Sequence, residues 1–154
     1  MAKKKRSDAA WIARRGLVET RDTEIHRPIL RKPGFNGVPT FGEMETSLGR
    51  ALRAKRSERK LTREQLATMI GLSTQVFGRY EKAISKMNVT RLIHLCEILD
   101  VSPVDLIYEA APHLFGDTPQ EAKLRASAAR WLWELPASTV AALHDVMVTM
   151  IPRS

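Results

Sequence analysis

The sequence predicts an all-α protein, because helix start signals stand directly before apolar residues at helical spacing. Thr62 and Gln65 are three residues apart, as the two partners of a capping box are. Thr118 and Pro119 are the residue types favoured at an N-cap and at the first helical position. Apolar side chains recur three or four residues apart after each signal. These observations indicate a fold of short amphipathic helices.

The chain of 154 residues suits one main domain with additions, and its 44% hydrophobic content is enough for a core. Its formal net charge of +8 suits an anionic partner. Residues 1–36 hold ten Lys and Arg against four Asp and Glu, a net charge of +6. We therefore interpret residues 1–40 as a basic N-terminal arm, partly disordered when free, with one short helix over Ala9–Thr20.

The stretch from Leu61 to Glu81 predicts two helices joined by a tight turn. The first begins at Thr62, and Gly71 is the residue type that ends a helix in a left-handed conformation. Ser73 can cap a second helix over Thr74–Tyr80. Helix, short turn with glycine, helix is the spacing of a helix-turn-helix. A preceding helix is predicted over Phe41–Lys60, and two more begin after the caps Asn88 and Ser102.

These residues resemble the XRE family of repressor and Cro-type helix-turn-helix regulators. The resemblance rests on REQLATMIGLS, on the pair Tyr80-Glu81 and on LCEILDVSPVDLI, in order and at the right separations, over about Leu48 to Ile107. It implies that residues 41–110 form a five-helix, repressor-like DNA-binding domain. It also implies a structural ion pair between Arg56 and Glu81.

The second helix of the motif is predicted to lie in the major groove of double-stranded DNA. Helical geometry places four of its residues on the groove-facing side, whereas Val76, Phe77 and Tyr80 point mainly inward. The predicted base-contacting residues are Thr74, Gln75, Gly78 and Arg79. Gln75 suits adenine and Arg79 suits guanine, and Gly78 leaves a gap. For Gln75 and Arg79, the alternative is a phosphate contact or a solvated side chain.

Other groups are predicted to contact phosphates, because helix N-termini favour anions. These residues are Thr62, Arg63, Ser73 and Lys86. Ala83 stands where the family commonly has glycine, and a positive φ costs alanine about 1 kcal/mol. The loop after Glu81 is therefore expected to follow a different path. The arm of residues 1–40 either adds DNA contacts or only keeps the protein in solution.

Residues 111–154 are predicted to form a C-terminal helical hairpin, with helices from Thr118 to about Glu134 and from Ser138 to Ile151. Two short amphipathic helices cannot bury both apolar faces alone. Either two copies pack together, which we favour, or the hairpin packs on its own domain. The predicted dimerisation residues are Trp131, Leu135, Leu143, Met147 and Met150.

Other functional classes find little support. The four histidines are scattered without metal-ligand spacing, and neither a phosphate-binding glycine loop nor a nucleophile with a base is evident. We expect no enzyme activity, cofactor, metal or small-molecule ligand. The single cysteine, Cys96, is interpreted as a core residue. The basic start lacks a following apolar segment and no run is long enough to span a membrane, so a cytoplasmic location is expected.

The function that these features predict is a sequence-specific transcriptional regulator, a homodimer on an inverted-repeat operator with helix 74–81 in the major groove. The alternative is a protein-binding module of the same fold, either an antitoxin or an adaptor, that acts through a protein partner. An antitoxin would bind DNA as well, so the partner would distinguish the two.

Overall fold

Helices dominate the computed structural model, which describes the backbone of residues 2–151 and the side chains of residues 8–151. This part of the chain has eight α-helices, a short 3-10 helix (Pro112–Leu114) and one pair of strands. The helices are α1 (Ala2–Arg14), α2 (Phe41–Glu58), α3 (Arg63–Met69), α4 (Thr74–Glu81), α5 (Val89–Leu99), α6 (Pro103–Ala110), α7 (Pro119–Glu134) and α8 (Ala137–Met150). The strands are β1 (Val18–Asp22) and β2 (Ile25–Arg31). The predicted helical fold class is confirmed.

The five helices from α2 to α6 begin at residues that cap them. Thr40 and Thr62 form complete capping boxes at the starts of α2 and α3. Ser73, Asn88 and Ser102 accept backbone hydrogen bonds at the starts of α4, α5 and α6. Local hydrogen bonding therefore sets these helix starts, and the four caps that the sequence indicates in this region are confirmed.

The core of this domain lies between α2, α3, α4, α5 and α6. The largest fully buried side chains are Phe77, Leu52, Leu66, Leu95, Leu99 and Leu106. Cys96 is buried beside them, and burial raises the pKa of its thiol. The thiol therefore behaves as a packing group, as the sequence indicates. Within residues 2–151, no helix combines the length and apolar character that crossing a membrane requires.

The strands β1 and β2 form an antiparallel β-hairpin that the sequence analysis did not predict. Gly16 turns the chain with a φ of 60°, so the helix expected over Ala9–Thr20 ends at Arg14 instead. Most hairpin side chains are exposed, and Asp22 is the one buried residue in the two strands. A sequence without an apolar face lacks the alternation by which a strand is recognised. The domain bounds at residues 40 and 110 stay predictions.

The helices α7 and α8 occupy the positions predicted for the C-terminal hairpin, and they differ in burial. Ala122 and Ala126 of α7 are buried, and α7 packs against α6 and the 3-10 helix. Arg130 donates from Nε to Asp105 Oδ1 of α6 at 2.9 Å, which also ties α7 to the domain. No residue of α8 is buried. Packing of the C-terminal hairpin on its own domain therefore applies to α7, whereas the side chains of α8 stay at least partly exposed.

The close approach of α2 to the end of α4 depends on Gly49. A Cβ atom at this position would lie 2.6 Å from the carbonyl oxygen of Tyr80 and 2.8 Å from that of Glu81. Both atoms belong to the backbone and cannot turn aside as a flexible side chain can. Gly49 therefore sets the distance between these two helices.

A buried carboxylate joins α2, α3 and α4. Arg56 of α2 donates from Nε to Glu81 Oε1 at 2.7 Å, and Arg63 of α3 donates from Nε to Glu81 Oε2 at 2.9 Å. The Glu81 side chain is 1% exposed and the Arg56 side chain 11% exposed. Arg56 also donates to the carbonyl oxygen of Leu61 at 2.7 Å, in the link between α2 and α3. The structure thus contains the expected Arg56–Glu81 pair and adds Arg63 to it.

We expect Gly49→Ala to lower the free energy of unfolding by about 1–3 kcal/mol, because the added methyl group has no room against α4. Gly42→Ala, on the same helix, is the matched control, since a Cβ there meets only Oγ1 of the N-cap residue Thr40, at 4.0 Å. That control should stabilise the protein by about 0.5–1 kcal/mol, as Ala does in a helix. Urea unfolding followed by circular dichroism measures both. Equal stability of the two variants would contradict this account of Gly49.

Arg56→Ala should cost about 3 kcal/mol of unfolding free energy, because it leaves a buried carboxylate with one partner. Arg63→Ala should cost about 1 kcal/mol, since Arg63 is more exposed and Arg56 still pairs with Glu81. Arg53→Ala, on the exposed side of α2, should change stability by less than about 0.5 kcal/mol. The same urea titration ranks the three variants. A loss for Arg56→Ala no greater than for Arg53→Ala would refute the role given to the pair.

Candidate nucleic-acid interface

The helix-turn-helix geometry is built by α3, a short turn and α4. Ile70 ends α3, and Gly71 follows with a φ of 70°, as expected for the stop residue. The amide of Leu72 donates back to the carbonyl oxygen of Ala67 at 2.9 Å, and Ser73 then caps α4. The chain therefore reverses within a few residues, and both helices stay packed on one core.

One face of α4 is open to solvent and carries polar side chains. Thr74, Gln75 and Arg79 are exposed, whereas Phe77 is fully buried. Val76 is 40% exposed, so the expectation that it points mainly inward is wrong, because no element among the described residues buries this side of the short helix. The open face therefore combines two hydrogen-bonding side chains, one guanidinium and a partly exposed apolar group.

This face lines a shallow concavity of about 620 Å³. Its lining residues are Arg63, Thr74, Gln75, Gly78, Arg79, Lys82 and Ile84. Three of these side chains are cationic, so the concavity suits an anionic partner. The sequence analysis missed Lys82, which follows directly after α4 and lies three residues beyond Arg79, on a neighbouring part of the helical surface.

Gly78 does not leave the gap that the sequence analysis expected. It is buried, and a Cβ placed on it would lie 3.3 Å from Cδ and 3.5 Å from Nε of Arg63. The Arg63 side chain crosses α4 at this point on its way to Glu81. A base contact at Gly78 would therefore require that Arg63 moves, and Arg63 itself supplies the surface there.

The residues predicted to contact phosphates have different surroundings. Thr62 and Ser73 are exposed caps, and the amide of Thr62 already donates to the Gln65 side chain at 2.8 Å. Arg63 is held by Glu81 but keeps a side-chain exposure of 35%. Lys86 forms an ion pair with Glu24 in the turn of the β-hairpin, which the sequence analysis did not foresee. That pair raises the pKa of Lys86, so the ammonium stays charged at neutral pH.

The loop after α4 keeps a left-handed residue at the position where the family commonly has glycine. Ala83 has a φ of 56°, so the expected change of conformation at this residue does not occur. A non-glycine residue in this region costs about 1 kcal/mol, which the surrounding structure must offset. The amide of Ala83 donates to the carbonyl oxygen of Tyr80 at 3.1 Å, and that of Ile84 donates to Arg79 at 2.8 Å. These bonds fix the loop directly beside the open face.

In the part of the chain that the structure describes, no group of three or more His, Cys, Asp or Glu side chains is arranged to hold a metal ion. His94 contacts Arg91 on the same helix, with 3.5 Å between His94 Nδ1 and Arg91 Nη1. This geometry is that of a surface contact on α5.

Comparison with known proteins places the motif in a family. Residues 52–106 match the family model described as helix-turn-helix. An uncharacterized HTH-type transcriptional regulator from Rickettsia conorii is 33% identical over 67 residues, which cover 44% of this chain and 53% of the relative. Another from Sinorhizobium medicae is 29% identical over 75 residues, 49% of this chain and 53% of the relative. The chain thus spans about half the length of the curated relatives it matches.

Two solved structures are similar to the same part of the chain. The clp gene regulator ClgR from C. glutamicum is 27% identical, with a TM-score of 0.42 over 44% of this chain and 87% of that chain. The restriction-modification controller protein C.AhdI from Aeromonas hydrophila is 26% identical, with a TM-score of 0.40 over 42% of this chain and 94% of that chain. The family match and the curated relatives confirm the predicted resemblance: residues 52–106 are similar to XRE-type helix-turn-helix regulators.

Proposed function

We propose that this chain is a sequence-specific DNA-binding transcriptional regulator that places α4 in the major groove. The observation that carries the proposal is the open face of α4, where Thr74, Gln75 and Arg79 are exposed together. Gln can form two hydrogen bonds to adenine and Arg can form two to guanine. Both side chains stand on a short helix that is held by a buried ion pair and a tight glycine contact. Preorganised side chains on a rigid element favour selective contacts.

Backbone binding in this proposal comes from groups around the same face. Lys82 lines the concavity beside Arg79, and Arg63 lies across Gly78. The exposed caps Thr62 and Ser73 lie at helix N-termini, which favour phosphate. Such contacts add affinity and salt dependence without sequence preference. The chain's net charge of +8 has the sign that this partner requires.

The proposal includes a homodimer, in which two copies of α4 contact half-sites about 34 Å apart on an inverted repeat. Its support is α8, which has no buried residue within the described part of the chain. The dimer surface proposed here includes Trp131 of α7, Leu135 directly after α7, and Leu143, Met147 and Met150 of α8, all of which are exposed. Exposed aromatic, Leu and Met side chains of this density are typical of an interface with another chain.

The decisive experiment is to incubate the purified protein with sheared genomic DNA at physiological salt and to sequence the retained fragments. We expect enrichment of a few sites that contain an inverted repeat. Retention without preference would contradict base-specific contact by α4. No retention would refute DNA binding and favour the protein-binding alternative, for which the exposed α8 would be the first surface to test.

Arg79→Ala should weaken binding to the enriched site by about 1–3 kcal/mol and relax base preference at one position. Gln75→Ala should have the same effect at a neighbouring position, whereas Arg63→Ala should weaken all sequences alike. Arg125→Ala is the matched control, because it removes an exposed arginine from α7. Competition binding with a library of single-base variants measures both quantities. An unchanged preference for Arg79→Ala would show that the groove-facing side of α4 is wrongly assigned.

Met147→Asp should weaken self-association at least tenfold, about 1.4 kcal/mol, because it buries a charge in the proposed interface. Val148→Asp is the matched control, because Val148 is 47% exposed and Met147 43% exposed. The two side chains point about 100° apart on the helix, so Val148 lies outside the proposed interface. Sedimentation equilibrium over a range of concentrations measures both variants. A wild-type monomer at all concentrations, or equal loss in both variants, would contradict this interface.

A further inference from the structure

The β-hairpin is fixed beside the loop that follows α4. Its turn, Thr23–Glu24, joins the two strands, and the Glu24 carboxylate accepts a hydrogen bond from the Lys86 ammonium. Lys86 lies in the loop between α4 and α5. The tip of the hairpin is therefore held beside the loop that follows the helix that we propose to lie in the major groove.

A second attachment lies at the same end of the hairpin. The buried carboxylate of Asp22 accepts hydrogen bonds from the amides of Phe41 at 2.8 Å and Glu24 at 3.1 Å. The bond from the Phe41 amide lowers the pKa of Asp22, followed by the bond from Glu24. The carboxylate therefore stays ionised at neutral pH and binds the first turn of α2. These bonds hold the hairpin tip against the domain.

The other end of β2 is attached to α2 as well. The guanidinium of Arg31 lies over the Phe41 ring, 4.3 Å from its centroid, and donates to the Met44 sulfur at 3.0 Å. Cation–π contacts of this kind add stability beyond the buried area. The hairpin is thus held at both ends, and its orientation relative to α2 is set.

The held hairpin presents an exposed cluster of basic side chains near its tip. Arg21, His26 and Arg27 are all exposed, and none of them forms an ion pair among the described residues. Neither acidic group at the tip faces an external partner freely, because the ionised Asp22 carboxylate is buried against backbone amides and Glu24 is paired with Lys86. The charge that the tip offers to an external partner is therefore positive.

A β-bulge concentrates these basic residues. The register runs from Thr20 opposite Ile29 to Asp22 opposite Ile25, so residues 26–28 on β2 oppose Arg21 alone on β1. Bulges bend a strand and redirect its side chains, and they accommodate a proline such as Pro28. At about 3.3 Å per residue, Arg21 and Arg27 lie within about 10 Å of Glu24 along the strands.

We propose that this hairpin is a second DNA-binding element, in which Arg21 and Arg27 bind phosphates of the duplex beside the sequence contacted by α4. The inference rests on the proposed function, because it places the hairpin on the same duplex. Guanidinium groups match phosphate geometry with two parallel hydrogen bonds. The hairpin lengthens the bound segment and adds affinity, while base preference stays with α4.

The test uses the full-length protein and a fragment enriched by the wild type. The double variant Arg21→Ala/Arg27→Ala is compared with Lys123→Ala/Arg125→Ala, which removes the same charge from exposed positions on α7. For the hairpin variant we expect about a tenfold loss of affinity and a salt-dependence slope reduced by about 2. Hydroxyl-radical footprints should lose protection outside the half-site and keep it inside, with unchanged base preference.

Two further measurements separate the outcomes. Thermal unfolding checks that the hairpin variant folds, and Arg21→Lys/Arg27→Lys should restore most of the affinity because it restores the charge. The inference would be overturned if the hairpin variant lost no more affinity than the α7 control, or if its footprint were unchanged. Either result would leave the proposed function intact. A wild-type protein that retains no DNA would overturn both proposals together.

Discussion

The buried carboxylate of Glu81 is the constraint on which the arrangement of the helix-turn-helix depends. Glu81 is the last residue of α4, and its carboxylate accepts hydrogen bonds from arginines on α2 and α3, so one anionic group holds three helices together. A charge this buried is stable only while its partners stay in place. The backbone contact at Gly49 acts at the same end of α4 and sets how closely α2 approaches. Electrostatics and sterics therefore position α4 together.

The distribution of arginines explains why net charge alone does not locate a DNA-facing surface. Several guanidiniums are engaged inside the domain: Arg59 donates to the carbonyl oxygen of Leu99 at 2.6 Å, and Arg91 donates to that of Ile70 at 2.9 Å. Arg130 likewise binds Asp105. These groups satisfy helix C-termini and join helices. Among the described residues, Arg79 on α4 and Arg21 and Arg27 on the hairpin form no ion pair and are exposed, so they are available to a partner.

Much of the helical architecture could be predicted because its determinants are local in sequence. A cap and the amide that it accepts from lie two or three residues apart, so Ser73, Asn88 and Thr118 identify helix starts without any tertiary information. The partners Arg56 and Glu81 are 25 residues apart, and the resemblance to a family supplied that pair. Local chemistry and family pattern thus covered the segment from α2 to α6.

The β-hairpin and the path of the Arg63 side chain depend on contacts between residues far apart in the sequence, which no sequence pattern predicts. The hairpin is held by hydrogen bonds from the Phe41 amide to Asp22 and from Lys86 to Glu24, whose partners are 19 and 62 residues apart. The direction of Arg63, which decides whether Gly78 is open or covered, is set by its bond to Glu81. Each depends on where a long side chain finds its partner, and that requires the folded structure.

The crossing of Arg63 over Gly78 means that the surface facing outward from α4 is made by two helices. The glycine supplies space, and a side chain from α3 occupies it. The exposed residues of α4 are therefore not a transferable module. An α4 grafted alone onto another helix-turn-helix scaffold would present a groove where this protein presents a guanidinium. A related protein with a different residue at position 63 would therefore have a different surface here, even if its α4 sequence were identical.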